Sequence, residues 1–273
     1  MATQMEKAER FKALHAREGA FVIPNPWDVG SARLLAGLGF EALATTSVGF
    51  ANSLGRSDGQ VTLSELMEHC RDLSEATDLP VSADLENCFA DDPAQAAETI
   101  GLAARAGLVG GSIEDYSGDP SNPIYDFALA VERVHAAVEA ARSLDFPFTL
   151  TARAENLLRG RLDLDDTIRR LQAFEAAGAD VLYAPALTTL DEVRLVTGAL
   201  SKPLNVLATM LKGVTVAQLA DAGARRISVG GSLARAAITA LLRAGMEMRD
   251  GGSFEWASNL TSGADVSELL GAR

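Results

Sequence analysis

At 273 residues, 48% of them hydrophobic, the chain can bury the core of one α/β barrel or of two smaller domains. A net charge of −13 and a pI near 4.7 argue against nucleic acid and against an anionic membrane surface as partners. Cys70 and Cys88 are the only cysteines and show no CxxC spacing, which excludes a disulfide framework and fits a reducing compartment. Residues 1–18 are charged throughout with no apolar signal core, and no apolar run is long enough to cross a bilayer, so a cytoplasmic protein is expected.

In chain order, residues 5–17 read as a helix with Phe11 and Leu14 on its apolar stripe. A strand at 20–23 is stopped by Pro24 and Pro26, and Asp28 is placed to cap a helix running to about residue 37. A second strand at 42–47 precedes a loop rich in Gly, Ser and Asn that carries Arg56, Ser57 and Asp58. Thr62 and Glu65 form a capping box for a helix at 63–77. The third strand, 80–85, is followed by a helix at 93–106 with Pro93 in its first turn. The fourth strand, 108–113, leads into a polar loop at 116–125 and a long helix at 127–143. A fifth strand at 146–154 carries Arg153 at its end. Helices at 165–177, 190–200, 216–222, 232–248 and 266–270 alternate with strands at 181–185, 204–208 and 226–229.

Eight apolar strands, each followed by a helix, predict a (β/α)8 TIM-type barrel formed as a single domain over 1–273, including the C-terminal helices from about 232. Gly107, Gly178 and Gly223 each end a helix just before a strand, as a glycine at C′ does.

Acids cluster where such a barrel binds ligands. Asp84 and Glu86 close the third strand on alternate residues, so their side chains are expected on one side. Glu114 closes the fourth strand and Asp58 lies just past the second, all at the C-terminal face. Each pair of such carboxylates about 5 Å apart repels by about 3 kcal/mol at an effective dielectric near 20. Protonation or a bound cation must relieve this. Oxygen ligands without histidine point to Mg²⁺, with Mn²⁺ as the alternative. His15, His69 and His135 all fall in predicted helices and read as packing or surface residues.

Six segments in this order resemble the isocitrate lyase/phosphoenolpyruvate mutase superfamily: Pro24–Asp28, Thr45–Gly49, Ser82–Asn87, Gly111–Asp115, Thr151–Arg153 and Pro203–Asn205. The resemblance implies a Mg²⁺-dependent barrel acting on a small 2-oxo carboxylate through an enolate. It implies that Asp84 binds the metal directly while Asp58, Glu86 and Glu114 hold it through water. It gives the backbone of Thr46, Ser47 and Val48 to the substrate carboxylate, Arg153 to the oxo-acid end and Asn205 to the site wall. It also implies a homotetramer in which the C-terminal helix is exchanged between subunits.

The chain departs from the family at the loop after the fourth strand. The lyases of the superfamily carry a cysteine and a histidine there, and residues 117–123 here have neither. Asn122 matches an asparagine of the phosphonopyruvate-processing members, yet the lysine two residues before it is Pro120. The favoured expectation is a lyase or decarboxylase of an oxaloacetate-like dicarboxylate, with Arg153, Asn122 and Asp58 as the catalytic candidates. A C–P hydrolase of phosphonopyruvate type and a non-catalytic, metal-dependent 2-oxo acid binding protein, for example one for 2-oxoglutarate, are the alternatives. The 116–125 loop is expected to act as a lid.

Overall fold

The computed structural model describes residues 2–271; residues 1, 272 and 273, the ends of the expected single domain, lie outside it. In chain order the elements are α1 Gln4–Ala16, β1 Phe21–Ile23, α2 Val29–Gly37, β2 Leu43–Ala44, α3 Ser47–Ser53, α4 Leu63–Ala76, β3 Val81–Asp84 and α5 Pro93–Arg105. There follow β4 Gly110–Glu114, α6 Phe127–Arg142, β5 Thr149–Arg153, α7 Leu164–Ala176, β6 Val181–Tyr183, α8 Leu190–Gly198 and β7 Leu204–Leu207. The chain ends with α9 Val216–Asp221, β8 Arg226–Ser228, α10 Ser232–Met246 and α11 Gly263–Gly271.

All eight strands are parallel, in the order β1-β8-β7-β6-β5-β4-β3-β2. This is the expected (β/α)8 barrel, nearly closed. The seam between β1 and β2 has no ladder and is stitched instead by two bonds. The Ala44 amide donates to the Pro24 carbonyl at 3.1 Å, and Asn25 Nδ2 donates to the Thr45 carbonyl at 3.1 Å. Asn25 Oδ1 also accepts from the amides of Val229 and Gly230 at 3.0 and 2.9 Å, tying the β8 end to the same point.

Register decides what faces inward, because in-register neighbours of a parallel sheet share a side. Asp84, Ser112 and Thr151 form one such row, and Glu114, Arg153, Tyr183, Asn205 and Arg226 form another. The interior is therefore polar and built partly from small side chains, where many barrels pack bulky aliphatic layers. The apolar core lies between the strands and the helices. A second cluster closes the floor, where α1 lays Phe11 against Phe21, Ile23 and Val109. A Cβ on Gly110 would come within 2.8 Å of the Phe11 ring, so glycine there makes room for the plug.

The local signals hold at the expected places. Asp28 and Thr62 cap α2 and α4, Pro93 opens α5, and Gly107, Gly178 and Gly223 take positive φ. Two expectations need correction. The second strand is only Leu43–Ala44, and part of the expected loop after it is α3. Gly, Ser and Asn weaken a helix locally, but Thr46 caps this one and Gly49 lets it sit against Trp27 and Ala234. The third strand ends at Asp84, and Glu86 takes a left-handed turn at φ 51°, so strand alternation does not place it. At the C-terminus, α11 lies against α2 of its own chain, with Gly37 beneath Leu269.

Phe11 is fully buried in the floor cluster. Phe11→Ala should lower the free energy of unfolding by about 3–5 kcal/mol in urea titrations. A loss below about 1 kcal/mol would mean that the floor collapses around the gap and that Phe11 is no plug.

Candidate active site

A cavity of about 850 Å³ opens at the C-terminal ends of the strands and runs down into the barrel. Asp58, Asp84, Glu86, Glu114 and Arg153 all line it, as do Thr46, Ser47, Val48 and Asn205. The acids expected from strand ends are thus brought to one mouth. Asn122 is the exception. It sits on the exposed tip of the 116–125 hairpin, its carbonyl accepting from Ser117 Oγ at 2.7 Å, and does not line the cavity.

Arg153 organises the mouth. Its guanidinium donates to Asp84 Oδ1 at 2.8 Å and to Glu155 Oε1 at 2.7 Å, and lies 3.1 Å from Glu114 Oε2. A second cation, Arg159, stands 3.2 Å from Glu155 and stacks on the Tyr116 ring at 3.5 Å. Five carboxylates (Asp58, Asp84, Glu86, Glu114 and Glu155) face these two guanidiniums. With Arg226 also lining the cavity, the fully ionised mouth would hold two uncompensated negative charges.

The titration of the acids reflects that excess. Burial, helped by the charges of Asp84 and Asp58, pushes Glu86 up to about 7. Burial raises Glu114 well above the ordinary glutamate value, although Arg153 opposes it. Asp58 rides on an exposed loop, yet its carboxyl turns toward Ser47 and Asp84 and is raised by its own desolvation. Burial would also depress Arg153, but Glu114, Glu155 and Asp84 outweigh it and hold the guanidinium firmly charged.

Local structure explains the placement. The Asp84 amide donates to Thr45 Oγ1 at 2.9 Å, fixing the end of β3 beside the start of α3. The Ser47 amide of that helix points at Asp84 Oδ2 from 3.4 Å. Gly231, in the β8–α10 turn, meets Val48 so closely that a Cβ would fall 2.4 Å from its side chain. Glycine there lets two loops frame one backbone surface. Asn205 is held as wall: its amide donates to Ser228 Oγ at 3.0 Å and its oxygen accepts from Arg226 Nε at 2.9 Å. Asp115, next to Glu114, faces outward instead and ties down Arg170 and the Glu155 amide.

Sequence reading missed Glu155, Arg159, Tyr183 and Arg226. Glu155 follows Arg153 at a strand end and so carried the signal that identified Asp84. The other three carried none. Cys88 is a buried packing residue, 0% exposed with its thiol pushed up to about 12 by burial, and the buried His69 sits in α4 as predicted.

Among the described residues, no three His, Cys, Asp or Glu side chains converge closely enough to form an all-protein metal cage. That loose set of oxygen donors suits Mg²⁺, which keeps several waters and takes one or two carboxylates. Asp84 stands beside both the Ser47 amide and Arg153, and the raised acids around it supply the unmet demand for positive charge.

Glu86 keeps its proton in the folded state to about pH 7, whereas the unfolded chain releases it near 4.5. The folded state therefore binds more protons across that window, and metal-free stability falls as pH rises through it. Melting of the metal-free protein should show a loss of about 2 kcal/mol after allowing for partial exposure. Glu86→Gln should flatten the slope, leaving the parts due to Glu114 and Asp58; an unchanged slope would remove Glu86 from the cluster.

The sequence profile of the phosphoenolpyruvate phosphomutase family matches residues 11–249. Oxaloacetate decarboxylase of Ectopseudomonas mendocina is 30% identical over 210 residues, covering 74% of this chain and 70% of that protein. The 2-methylisocitrate lyase of Escherichia coli K12 is 30% identical over 203 residues, covering 71% and 67%. A Burkholderia cenocepacia J2315 protein, provisionally described as a lyase/mutase from its crystal structure, superposes with a TM-score of 0.95 at 55% identity, covering 98% of this chain and 97% of that one. The chain belongs to the phosphoenolpyruvate mutase/isocitrate lyase superfamily, a group of lyases and mutases.

Proposed function

We propose that the protein is a Mg²⁺-dependent lyase or decarboxylase that converts a small 2-oxo dicarboxylate of the oxaloacetate type through an enolate. The observation that carries this reading is the uncompensated acid cluster around Asp84, set against the fixed cation Arg153 at the mouth of a polar cavity. Asp84 would hold the metal directly, and Glu86, Glu114 and Asp58 would hold it through its waters. Bound there, Mg²⁺ supplies a Lewis acid for the C2 carbonyl and the C1 carboxylate.

The chain's own groups do the rest. Arg153, a planar fork already charged, binds the oxo-acid end of the substrate. The α3 amides at Ser47 and Val48 receive a carboxylate oxygen. Asn205, its amide locked from both sides, shapes the wall. Glu86, near 7, is the group at the mouth able to hold or release a proton around neutrality. Breaking the bond beside a 2-oxo group requires chiefly a sink for the electron pair, which this arrangement supplies without a cysteine or histidine in the 116–125 loop.

One observation favours a second reading, a metal-dependent 2-oxo acid binding protein. The hairpin after β4 lines the cavity only with Tyr116 and Gly118, placing no carboxylate, cysteine or histidine there, and Asn122 stands outside it. Pyruvate release from a panel of 2-oxo and 2-hydroxy acids separates the two. With Mg²⁺, oxaloacetate should turn over; EDTA or Asp84→Ala should lower kcat/KM by at least about a thousandfold, the scale of losing several kcal/mol of transition-state stabilisation. Mg²⁺-dependent binding without turnover would favour the binding protein, and absence of both binding and turnover would refute the metal site.

We also infer a homotetramer, because α10 leaves Leu241, Leu242 and Met246 exposed. Sedimentation equilibrium at the monomer mass would overturn this.

A further inference from the structure

One charged residue violates the pattern of its helix. The inward face of α6 is made by Ala130, Arg133, Val134, Ala137, Val138 and Ala141, the spacing of an apolar stripe. Arg133 occupies that stripe where a leucine would satisfy packing, and it is 1% exposed, among the largest fully buried side chains. A buried guanidinium is costly unless its donors are met. Here Nε goes without a partner, and the terminal nitrogens are met by one loop only. Its Nη1 donates to the carbonyls of Ala90 and Asp91, the latter at 2.9 Å, and its Nη2 donates to the carbonyl of Asn87.

That loop is the one that carries Glu86. Between β3 and α5, Glu86, Cys88 and Phe89 all take left-handed φ, at 51°, 58° and 57°, although each has a Cβ. Such a run does not persist unless its surroundings impose it. Arg133 reads its carbonyls from one side, and Thr99 Oγ1 donates to the Cys88 carbonyl at 2.9 Å from the other.

The same guanidinium stacks on the ring of Tyr125, 4.2 Å from its centroid. Tyr125 closes the 116–125 hairpin, and its hydroxyl donates to Asp91 while accepting from Asn87 Nδ2 at 3.2 Å. Asn87 Nδ2 also reaches the Ser117 carbonyl at 3.4 Å. The root of the hairpin and the acid-bearing loop are thus fastened to one buried cation.

We propose that Arg133 is a positioning residue for the metal site, a clamp that holds the 86–91 loop in its left-handed course and latches it to the base of the 116–125 hairpin through Tyr125. The role at the metal rests on the Mg²⁺ reading above. Arg133 touches neither cation nor substrate. It acts by setting where Glu86 stands relative to Asp84.

The test compares wild type, Arg133→Met, Arg133→Lys and Tyr125→Phe, with Phe11→Ala as a control destabilised far from the site. Mn²⁺ binding is read by paramagnetic resonance, and amide hydrogen exchange is read at Cys88 and Phe89. Both amides are bonded within the loop, to the Leu85 carbonyl and Asn87 Oδ1. Arg133→Met should weaken Mn²⁺ binding roughly 10–100-fold, the usual loss when a group orienting metal ligands is removed, and should speed exchange at both amides. Arg133→Lys should restore part of each, and Tyr125→Phe should shift both less but in the same direction. If Arg133→Met changes them no more than Phe11→Ala does, the clamp is merely structural and the proposal falls. Should Arg133→Met not fold, Tyr125→Phe decides on the same two readouts. If wild type binds no Mn²⁺, the metal reading fails, and the exchange measurement alone judges the clamp.

Discussion

A single guanidinium shared among three carboxylates sets the conditions for the rest of the molecule. Arg153 is held by Asp84, Glu114 and Glu155, and every one of these is largely buried. Burying an ion pair gains little over an apolar contact, while removing one partner of it strands the others at a cost of several kcal/mol. Such an arrangement is poor economy for stability alone. It makes sense as a site whose excess negative charge suits a cation, with Arg153 fixing the geometry.

The scaffold follows from that constraint. Acids must reach one mouth from successive strands, so β3 and β4 are in register through Asp84 and Ser112, and β4 and β5 through Glu114 and Arg153. The opposite side of the barrel can be looser, and it is: β1 and β2 share no ladder, and the side chain of Asn25 joins β1, β2 and β8 in its place. The small and polar interior permits a cavity to enter the barrel. Below the row of Glu114, Arg153, Tyr183, Asn205 and Arg226, α1 seals the floor with Phe11.

Much of this was legible in the sequence, and the reason differs from place to place. Asp84 and Glu114 could be identified because an acid at the end of an apolar strand is conspicuous, and a parallel barrel puts strand ends together. The capping residues Asp28, Thr62 and Pro93 were legible because each acts within its own turn. The helix at Ser47–Ser53 was not, because Thr46 and the close fit of Gly49 against Trp27 and Ala234 override a loop-like composition. Glu86 reached the expected neighbourhood by a route other than strand alternation, a left-handed turn held from a distant helix. Arg133 and Arg159 act across the fold, and nothing adjacent in sequence announces such pairings. Asn122 shows the converse: its position in the chain matches a family residue, yet the hairpin turns it to solvent.

The protonation states at the mouth narrow the chemistry further. Cleavage of a 2-hydroxy acid needs a base to take the hydroxyl proton and an acid to quench the enolate, two groups with separate tasks. Tyr183 is pushed up to about 12 by burial and keeps its proton, and Arg153 stays charged, so neither can serve as base. Glu86, near 7, can exchange a proton, but a metal bound beside it would draw it toward the ionised form and remove it as an acid. Loss of carbon dioxide from a 2-oxo acid asks less of these groups, because the leaving group departs with no proton to surrender. That asymmetry weights the reading toward decarboxylation over the aldol-type cleavage of the lyases, on grounds independent of the cysteine and histidine the loop lacks.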